Sequence, residues 1–531
     1  MPHLREEGTS EESIRSRFNM KKVSLLFFVT LFYSQPVFSV KDSTAMHYCE
    51  KIDINELRRS IAVLSSDSLL GRETATLGQK KAEEFIASEF KNNHLEGGFD
   101  DGYVQNFKLI SASLNHTTFE FNNVAFKGDD QLLNYNLSHD RTVMANEIVF
   151  AGYGISTENY NDYKNVDVKD KVVFIFSGTP KSNGDSLILS KEEDDRWNRN
   201  PELKLRLASL NGAKALVIVH DDYDQYKERV LRYLDHQDLK FKMEEDTALA
   251  TIIMNNKIFY KIFGSSENDI NELLESRIYE ESPKTLAVSG NVIINIKAVS
   301  TESNASNVIA VITCPDSLAP WIVISAHYDH KGFDSSNVYH GADDNASGSS
   351  AVMELARVFN LAKEEGVSFK KNFMFLLVSG EEKGLLGSNY FVSNPNVELV
   401  NIQVDLNLDM IGRVDDKHKE NEDYVYVIGA DKIAKELSDI NEKMNLEYTH
   451  LDLDYTYNLD SDPNKFYYRS DHYNFAKNGI PVIFYFNGTH EDYHRASDTE
   501  DKINFSALIK RTQLVFYTAW YIGQREGGFT Y

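Results

Sequence analysis

From residue 303 to the C-terminus the chain repeats one pattern, a compact apolar run followed by a polar or helical segment. The runs are 308–312, 321–325, 373–378, 404–408 and 481–486, and residues 349–361 between them have helical spacing. A run that is apolar at nearly every position cannot show one face to water, so these are strands covered on both sides. Strands of that kind alternating with helices indicate a buried, mostly parallel central sheet flanked by helices in an α/β fold. In such sheets ligands sit beyond the carboxyl ends of the strands, which is where chemistry is expected here.

Ionisable residues stand at those ends. Run 321–325 leads into Ala326-His327-Tyr328-Asp329. In extended backbone Asp329 shares a side with His327, and its carboxylate can accept the far ring N–H, fixing the tautomer of a metal-binding imidazole. Taken alone, His-x-Asp is equally a chance pair in an acidic chain. Residues 341–348, Gly-Ala-Asp-Asp-Asn-Ala-Ser-Gly, then lead into a helix. Small residues let the backbone turn tightly, and a carboxylate there can bridge two cations or merely cap the helix. Run 373–378 ends in Ser379-Gly380-Glu381-Glu382. Of two adjacent acids one can bind metal while the other takes a proton from water; a solvated acidic turn is the plainer alternative. Asp409 follows run 404–408, and run 481–486 leads through Asn487-Gly488-Thr489-His490 to Tyr493-His494. An acid buried at a strand end needs a partner, whereas a lone histidine there is also compatible with an ordinary surface position. Together, four strand ends and one loop deliver His, Asp and Glu, a nitrogen and oxygen set that suits zinc. Five such ligands with one bridging carboxylate suffice for two ions.

With these motifs in this order, the chain resembles the co-catalytic two-zinc exopeptidases, which include bacterial leucyl aminopeptidases and glutamate carboxypeptidases. The resemblance covers residues 303–531. It implies a zinc aminopeptidase-like sheet sandwiched between helices and two zinc ions bridged by Asp344, with a cis peptide bond to Asn345. His327 and Asp409 complete one zinc site, and Glu382 and His494 the other. Glu381 is implied as general base, Asp329 as the residue orienting His327, and Tyr493 as a donor to the tetrahedral oxyanion. Ser470-Asp471-His472 resembles a family feature near the pocket, with His472 not a ligand. The implied activity is release of N-terminal residues from peptides. The rivals are a glutamate carboxypeptidase-type hydrolase, with Arg413 and Arg495 as candidate cations for a substrate carboxylate, a one-zinc glutaminyl cyclase, and a non-enzymatic binding protein on the same scaffold.

Upstream, Leu57, Ile61 and Leu64, then Ala82, Phe85, Ile86 and Phe90, recur at helical spacing with Gly71-Arg72-Glu73 between them as a loop. Residues 103–150 read as short strands. In 145–290, β-rich 147–151 and 172–176, helical 203–210 and β-rich 213–220 form a strand–helix–strand pattern. That module resembles the protease-associated domain often inserted into exported peptidases. The expected division is 1–39 upstream residues and signal peptide, 40–115 the N-terminal part of the peptidase domain, 116–300 the insert, and 301–531 the main peptidase domain. Residues 413–470, rich in Asp, Asn and Tyr, read as a lid or surface excursion.

Met20-Lys21-Lys22, the apolar run 23–33 and Val37-Phe38-Ser39 read as an export signal cleaved after Ser39. The run is short of the roughly 20 residues needed to span a bilayer, so the mature chain is expected to be periplasmic or secreted, without stable membrane insertion. Residues 514–522 read as a buried C-terminal helix. A formal net charge of −25 repels phosphate backbones and argues against nucleic acid as a partner; peptides are the expected substrates. Two cysteines, Cys49 and Cys314, exclude a disulfide framework and a thiolate zinc cluster, leaving at most one bridge.

Overall fold

A computed structural model describes residues 41–530 apart from 100–101, 113–114, 128–131, 134–138, 182–187, 236–238, 242–248, 280–284 and 317. The chain divides into Met1–Asp42 and Ser43–Tyr531. The export signal read at 20–39 lies outside the described residues.

The larger unit is organised by a ten-stranded sheet. Its centre is four parallel strands, β1 (Trp321–His327), β2 (Asn372–Val378), β3 (Ile402–Leu408) and β4 (Val482–Phe486), in the order β2-β1-β3-β4. Almost every residue in them is buried; β1, β2 and β4 are apolar at nearly every position, whereas β3 alternates and buries Gln403, Asp405 and Asn407 between its apolar residues. The parallel centre is as expected, and outside it the sheet is mixed. Ser300–Ile312 pairs antiparallel with both β2 and Val104–Ala112, and Tyr424–Ile428 pairs antiparallel with β4. Antiparallel edges can leave residues in water, and the first half of Ser300–Ile312 is largely exposed.

Helices cover this sheet. Gly348–Glu364 returns the chain from β1 to β2, and Phe505–Gln524, the expected C-terminal helix, is buried along most of its length. Near the start, Ile54–Leu64 is capped by Asp53 and buries Leu57, Ile61 and Leu64. Leu77–Asn92 is capped by Thr76 and buries Ala82, Ile86 and Phe90. Residues 413–470, read as a lid or surface excursion, are largely built into the body of the fold. Their strands Tyr424–Ile428 and Asp452–Asp454 extend the sheet, and helix Lys435–Met444 packs against Phe505–Gln524.

A second, eight-stranded sheet is built from strands between His116 and Lys297. Three of its pairings are parallel and join Arg141–Phe150, Val172–Phe176, Ala215–His220 and Ala250–Asn255. It has its own apolar core around Phe150, Phe174 and Phe259. Cys49 and Cys314 are both free thiols. Among the described residues no helix is long and apolar enough to cross a membrane.

Candidate metal centre

Register brings the chemistry to one level. His327 pairs with Val378, Ser325 with Asn407, and Leu408 with Tyr485, so the four parallel strands finish nearly side by side. His327 is the last residue of β1, and its carbonyl accepts Ser349 Oγ at 2.7 Å. Asp409 follows β3 directly, and Ser470 Oγ donates to its Oδ2 at 2.6 Å.

The Asp344 loop depends on close approach. Gly341 has φ +55°, and a Cβ there would stand 2.2 Å from Asp344 O and 2.6 Å from the His330 ring. The Asp344–Asn345 peptide bond is cis. Asn345 ties this loop to the next by donating to Leu408 O at 2.9 Å and accepting from Met410 N at 3.1 Å. Asp498 Oδ2 accepts from the backbone N–H groups of Asp343 and Asp344 at 3.0 and 3.1 Å.

The structure brings His327, Asp344, Glu382, Asp409 and His494 into one cluster. His327 Nε2 lies 3.4 Å from Asp344 Oδ1 and 3.3 Å from Asp409 Oδ1. His494 Nε2 lies 3.1 Å from Asp344 Oδ2 and 3.3 Å from Glu382 Oε2. The two oxygens of Asp344 thus face two different histidines. Asp329 is less direct. Its carboxylate is 3.7 Å from His327 Nδ1 while its backbone carbonyl is at 3.2 Å. The carboxylate instead accepts from Thr74 Oγ1 at 2.7 Å and from Glu381 N at 3.3 Å.

Glu381 and Tyr493 do not join the cluster but line the cleft beside it, about 330 Å³ and partly open to solvent. Met410, Phe466, Phe484 and Phe486 supply its apolar wall and Arg469 its cation. The Tyr493 ring stacks on His494 with centroids 3.8 Å apart, and its hydroxyl lies 3.5 Å from Arg469 Nη2. Burial, reinforced by the charges of Asp344, Glu382 and Glu381, raises the Tyr493 pKa and keeps it protonated as a donor. His472 stands apart, buried against Phe484, and burial lowers its pKa to about 3.

Two site neighbours escaped the sequence reading. His330 is fully buried, with Nδ1 at 2.9 Å from Glu382 Oε1 and 3.7 Å from Asp344 Oδ2. Lys331 Nζ is 3.0 Å from Glu382 Oε2. Both follow Asp329 directly, and adjacency to that motif is the one signal that marks them.

The donor set fits metal ions. Two ligands bound tetrahedrally to one zinc lie about 3.3 Å apart, and the nitrogen-to-oxygen distances above cluster near that value. His330 Nε2 is buried with no hydrogen-bond partner among the described residues, and the close contacts of His330 Nδ1 with Glu382 Oε1 and of Asp344 Oδ2 with His494 lack hydrogen-bond alignment. Such atoms are costly unless something satisfies them. His327, Asp344 and Asp409 form one potential metal-binding group, and His330, Asp344 and Glu382 another. Burial disfavours an imidazolium at His494, but Asp344 and Glu382 outweigh it and push its pKa up to about 9. A metal ion has to displace that proton before the nitrogen can ligate.

Residues 307–519 match peptidase family M28. The chain is 33% identical over 145 residues to aminopeptidase YwaD of Bacillus subtilis, covering 27% of this chain and 30% of that one. It is 30% identical over 204 residues to leupeptin-inactivating enzyme 1 of Streptomyces exfoliatus, covering 34% of this chain and 42% of that one. The matched part therefore spans less than half of these relatives. Among solved structures, an aminopeptidase from Aneurinibacillus sp. strain AM-1 aligns over 92% of this chain and 97% of its own at 18% identity, with a TM-score of 0.48.

Proposed function

From the match of residues 307–519 to peptidase family M28, we propose that this protein is a zinc-dependent exopeptidase, an aminopeptidase that releases N-terminal residues from peptides. One observation carries the reading: the carboxylate of Asp344 faces His327 with one oxygen and His494 with the other. A carboxylate so shared is suited to bridging two zinc ions, with His327 and Asp409 beside the first and Glu382 and His494 beside the second.

When bound, zinc supplies a Lewis acid for the scissile carbonyl and makes a bound water more acidic. The rest is the work of side chains. Burial raises the Glu381 pKa well above the ordinary carboxylate range, with the charges of Glu382, Asp409 and Asp471 adding to it and His327 opposing. That suits a general base able to take the proton of the attacking water and return it to the leaving amine. The Tyr493 hydroxyl donates toward the oxyanion. Asp329 buttresses His327 through its backbone carbonyl and the Glu381 turn through its carboxylate.

The carboxypeptidase reading needs a cation for the substrate carboxylate; Arg469 lines the cleft, while Arg495 is exposed and does not line it. Arg413 is held by Asp492 at 2.9 Å and lies 3.7 Å from Asp498, which leaves it poorly placed for a substrate carboxylate. The eight-stranded sheet with its own apolar core supports the reading of residues 116–300 as a protease-associated-like insert. The signal-like residues 20–39 support export to the periplasm or medium.

Zinc analysis paired with three matched peptides tests the reading. One peptide has free ends, one an acetylated N-terminus and one an amidated C-terminus. The expected result is two zinc ions per chain, with only acetylation blocking cleavage. Cleavage of the acetylated peptide together with protection of the amidated one replaces this reading with the carboxypeptidase.

A further inference from the structure

The loop Gly71-Arg72-Glu73 lies far from the metal motifs in sequence and takes no part in the chemistry above. In the fold it sits directly behind them. Arg72 is 0% exposed, and among the described residues no carboxylate lies within ion-pair distance of its guanidinium. Its partners are four backbone carbonyls. Nε donates to Tyr328 O at 2.8 Å, Nη1 to His340 O at 2.8 Å and to Leu64 O, and Nη2 to Gly341 O at 2.9 Å. Tyr328 follows His327, while Gly341 opens the loop that carries Asp344.

The neighbouring residues act on the same loops. Gly332 N donates to Gly71 O at 2.9 Å, and His330 N to Arg72 O at 3.3 Å. Thr74 Oγ1 holds Asp329 at 2.7 Å, and Glu73 pairs with Lys383, next to Glu382, at 2.8 Å. Leu70, Gly71 and Arg72 have φ of 52°, 66° and 53°, left-handed conformations that residues with side chains seldom adopt. Gly71 has no room for more, since a Cβ there would stand 2.0 Å from Gly332 O. Desolvating a guanidinium is expensive when no anion is paired with it. Here the compensation is its carbonyl partners and the field of Asp344, Asp329, Asp498 and Glu382, each of which favours its charged form.

Resting on the two-metal site proposed above, we propose that Arg72 is a positioning residue for the dinuclear centre. Its guanidinium fixes the spacing between the strand end bearing His327 and the loop bearing Asp344. It also places a permanent positive charge behind carboxylates that zinc must otherwise hold together. Guanidinium geometry is essential, because an ammonium group cannot reach carbonyls on both sides at once.

The test measures zinc affinity by competition with a chromophoric chelator, and melting temperature with and without zinc. It uses the full chain with Arg72→Lys, Arg72→Met and a comparison variant, Arg357→Met. Arg357 pairs with Glu354 at 2.6 Å and donates to Lys51 O at 2.5 Å, and among the described residues it has no hydrogen bond or ion pair to the metal loops. Arg72→Met is expected to weaken zinc binding by about 10- to 100-fold, the usual effect of removing a support of metal ligands. Arg72→Lys should show a smaller loss. In both, the rise in melting temperature on adding zinc shrinks, and the absorption bands of the cobalt-substituted protein change. Arg357→Met lowers both melting temperatures alike and leaves affinity and bands unchanged. Unaltered affinity and bands in the Arg72 variants overturn the proposal. So does failure of both to fold even with zinc, which would make Arg72 part of the general core. Wild-type protein that takes up no zinc overturns the site itself and the clamp with it.

Discussion

Glu381 and Glu382 are consecutive in the chain, yet their carboxyl groups are driven in opposite directions. Burial raises both. Glu382 is overruled by His330 at 2.9 Å, Lys331 at 3.0 Å and His494 at 3.3 Å, and is held well below the ordinary range. Glu381 points into the cleft, where the acids around it add to the effect of burial and outweigh His327. Two neighbouring acids with separated ionisation are what a ligand and a proton carrier require.

Glu381→Gln is therefore expected to keep its zinc and lose turnover by about 10²- to 10⁴-fold, the usual share of a general base. Glu382→Gln is expected to lose zinc as well. Metal analysis alongside peptide hydrolysis separates the two, and near-normal turnover by Glu381→Gln removes that residue from the mechanism.

In the proposed site Asp344 serves two ions and His494 one. Asp344→Ala is expected to abolish tight binding of both zincs, whereas His494→Ala leaves the ion beside His327 and Asp409. Because zinc binds only the folded site, saturation at about 100 times the dissociation constant adds about 2.7 kcal/mol of stability. Chelator should lower the melting temperature of the wild type most, of His494→Ala less, and of Asp344→Ala scarcely at all.

The motifs were legible where strand chemistry is simple. β1 is apolar nearly up to His327, and β2 up to the Ser379 turn, so burial and strand end coincide in the sequence; β3 instead alternates Val404, Leu406 and Leu408 with the buried polar residues Asp405 and Asn407. The antiparallel flanks were harder to read. Ser300–Ile312 is polar where it pairs with Val104–Ala112 in contact with water, and nothing in that half has the signature of a buried strand. Tyr424–Ile428 is only five residues long inside an acidic stretch, so it read as part of an excursion. Arg72 looked like a loop residue because backbone carbonyls, which carry no sequence signature, are its partners. Asp329 shows a further limit, since spacing put its carboxylate beside His327, where it stands 3.7 Å away, but gave no sign of its shorter bond to Thr74, distant in the chain.

Arg413 was a candidate for binding a substrate carboxylate, and the fold assigns it elsewhere. It is mostly buried, paired with Asp492, and donates its backbone N–H to Asn487 at 2.7 Å. Removing one partner of a largely buried ion pair costs about 3–5 kcal/mol. Arg413→Gln should lower the melting temperature without altering the response to C-terminal amidation of the peptide. A selective rise in KM for peptides with a free C-terminus would return Arg413 to the substrate site.

Asp405 lies within β3, four residues before Asp409, and is wholly buried. Ser325 Oγ donates to its Oδ1 at 2.6 Å, and Oδ2 has no hydrogen-bond partner among the described residues. Burial raises its pKa well above the ordinary value, with the charge of Asp471 adding to the rise and the Ser325 bond opposing it. The folded protein therefore keeps a proton that the unfolded chain releases above about pH 4. Wherever the folded state holds the extra proton, stability falls with rising pH by about 1.4 kcal/mol per unit for that group. The loss begins near the unfolded pKa and stops once the folded pKa is passed. Asparagine preserves the acceptor for Ser325 and has no proton to lose. Asp405→Asn should thus match the wild type near pH 4 and exceed it in denaturant midpoint at pH 7 to 8. Equal midpoints at both pH values would mean that Asp405 is ionised in the fold.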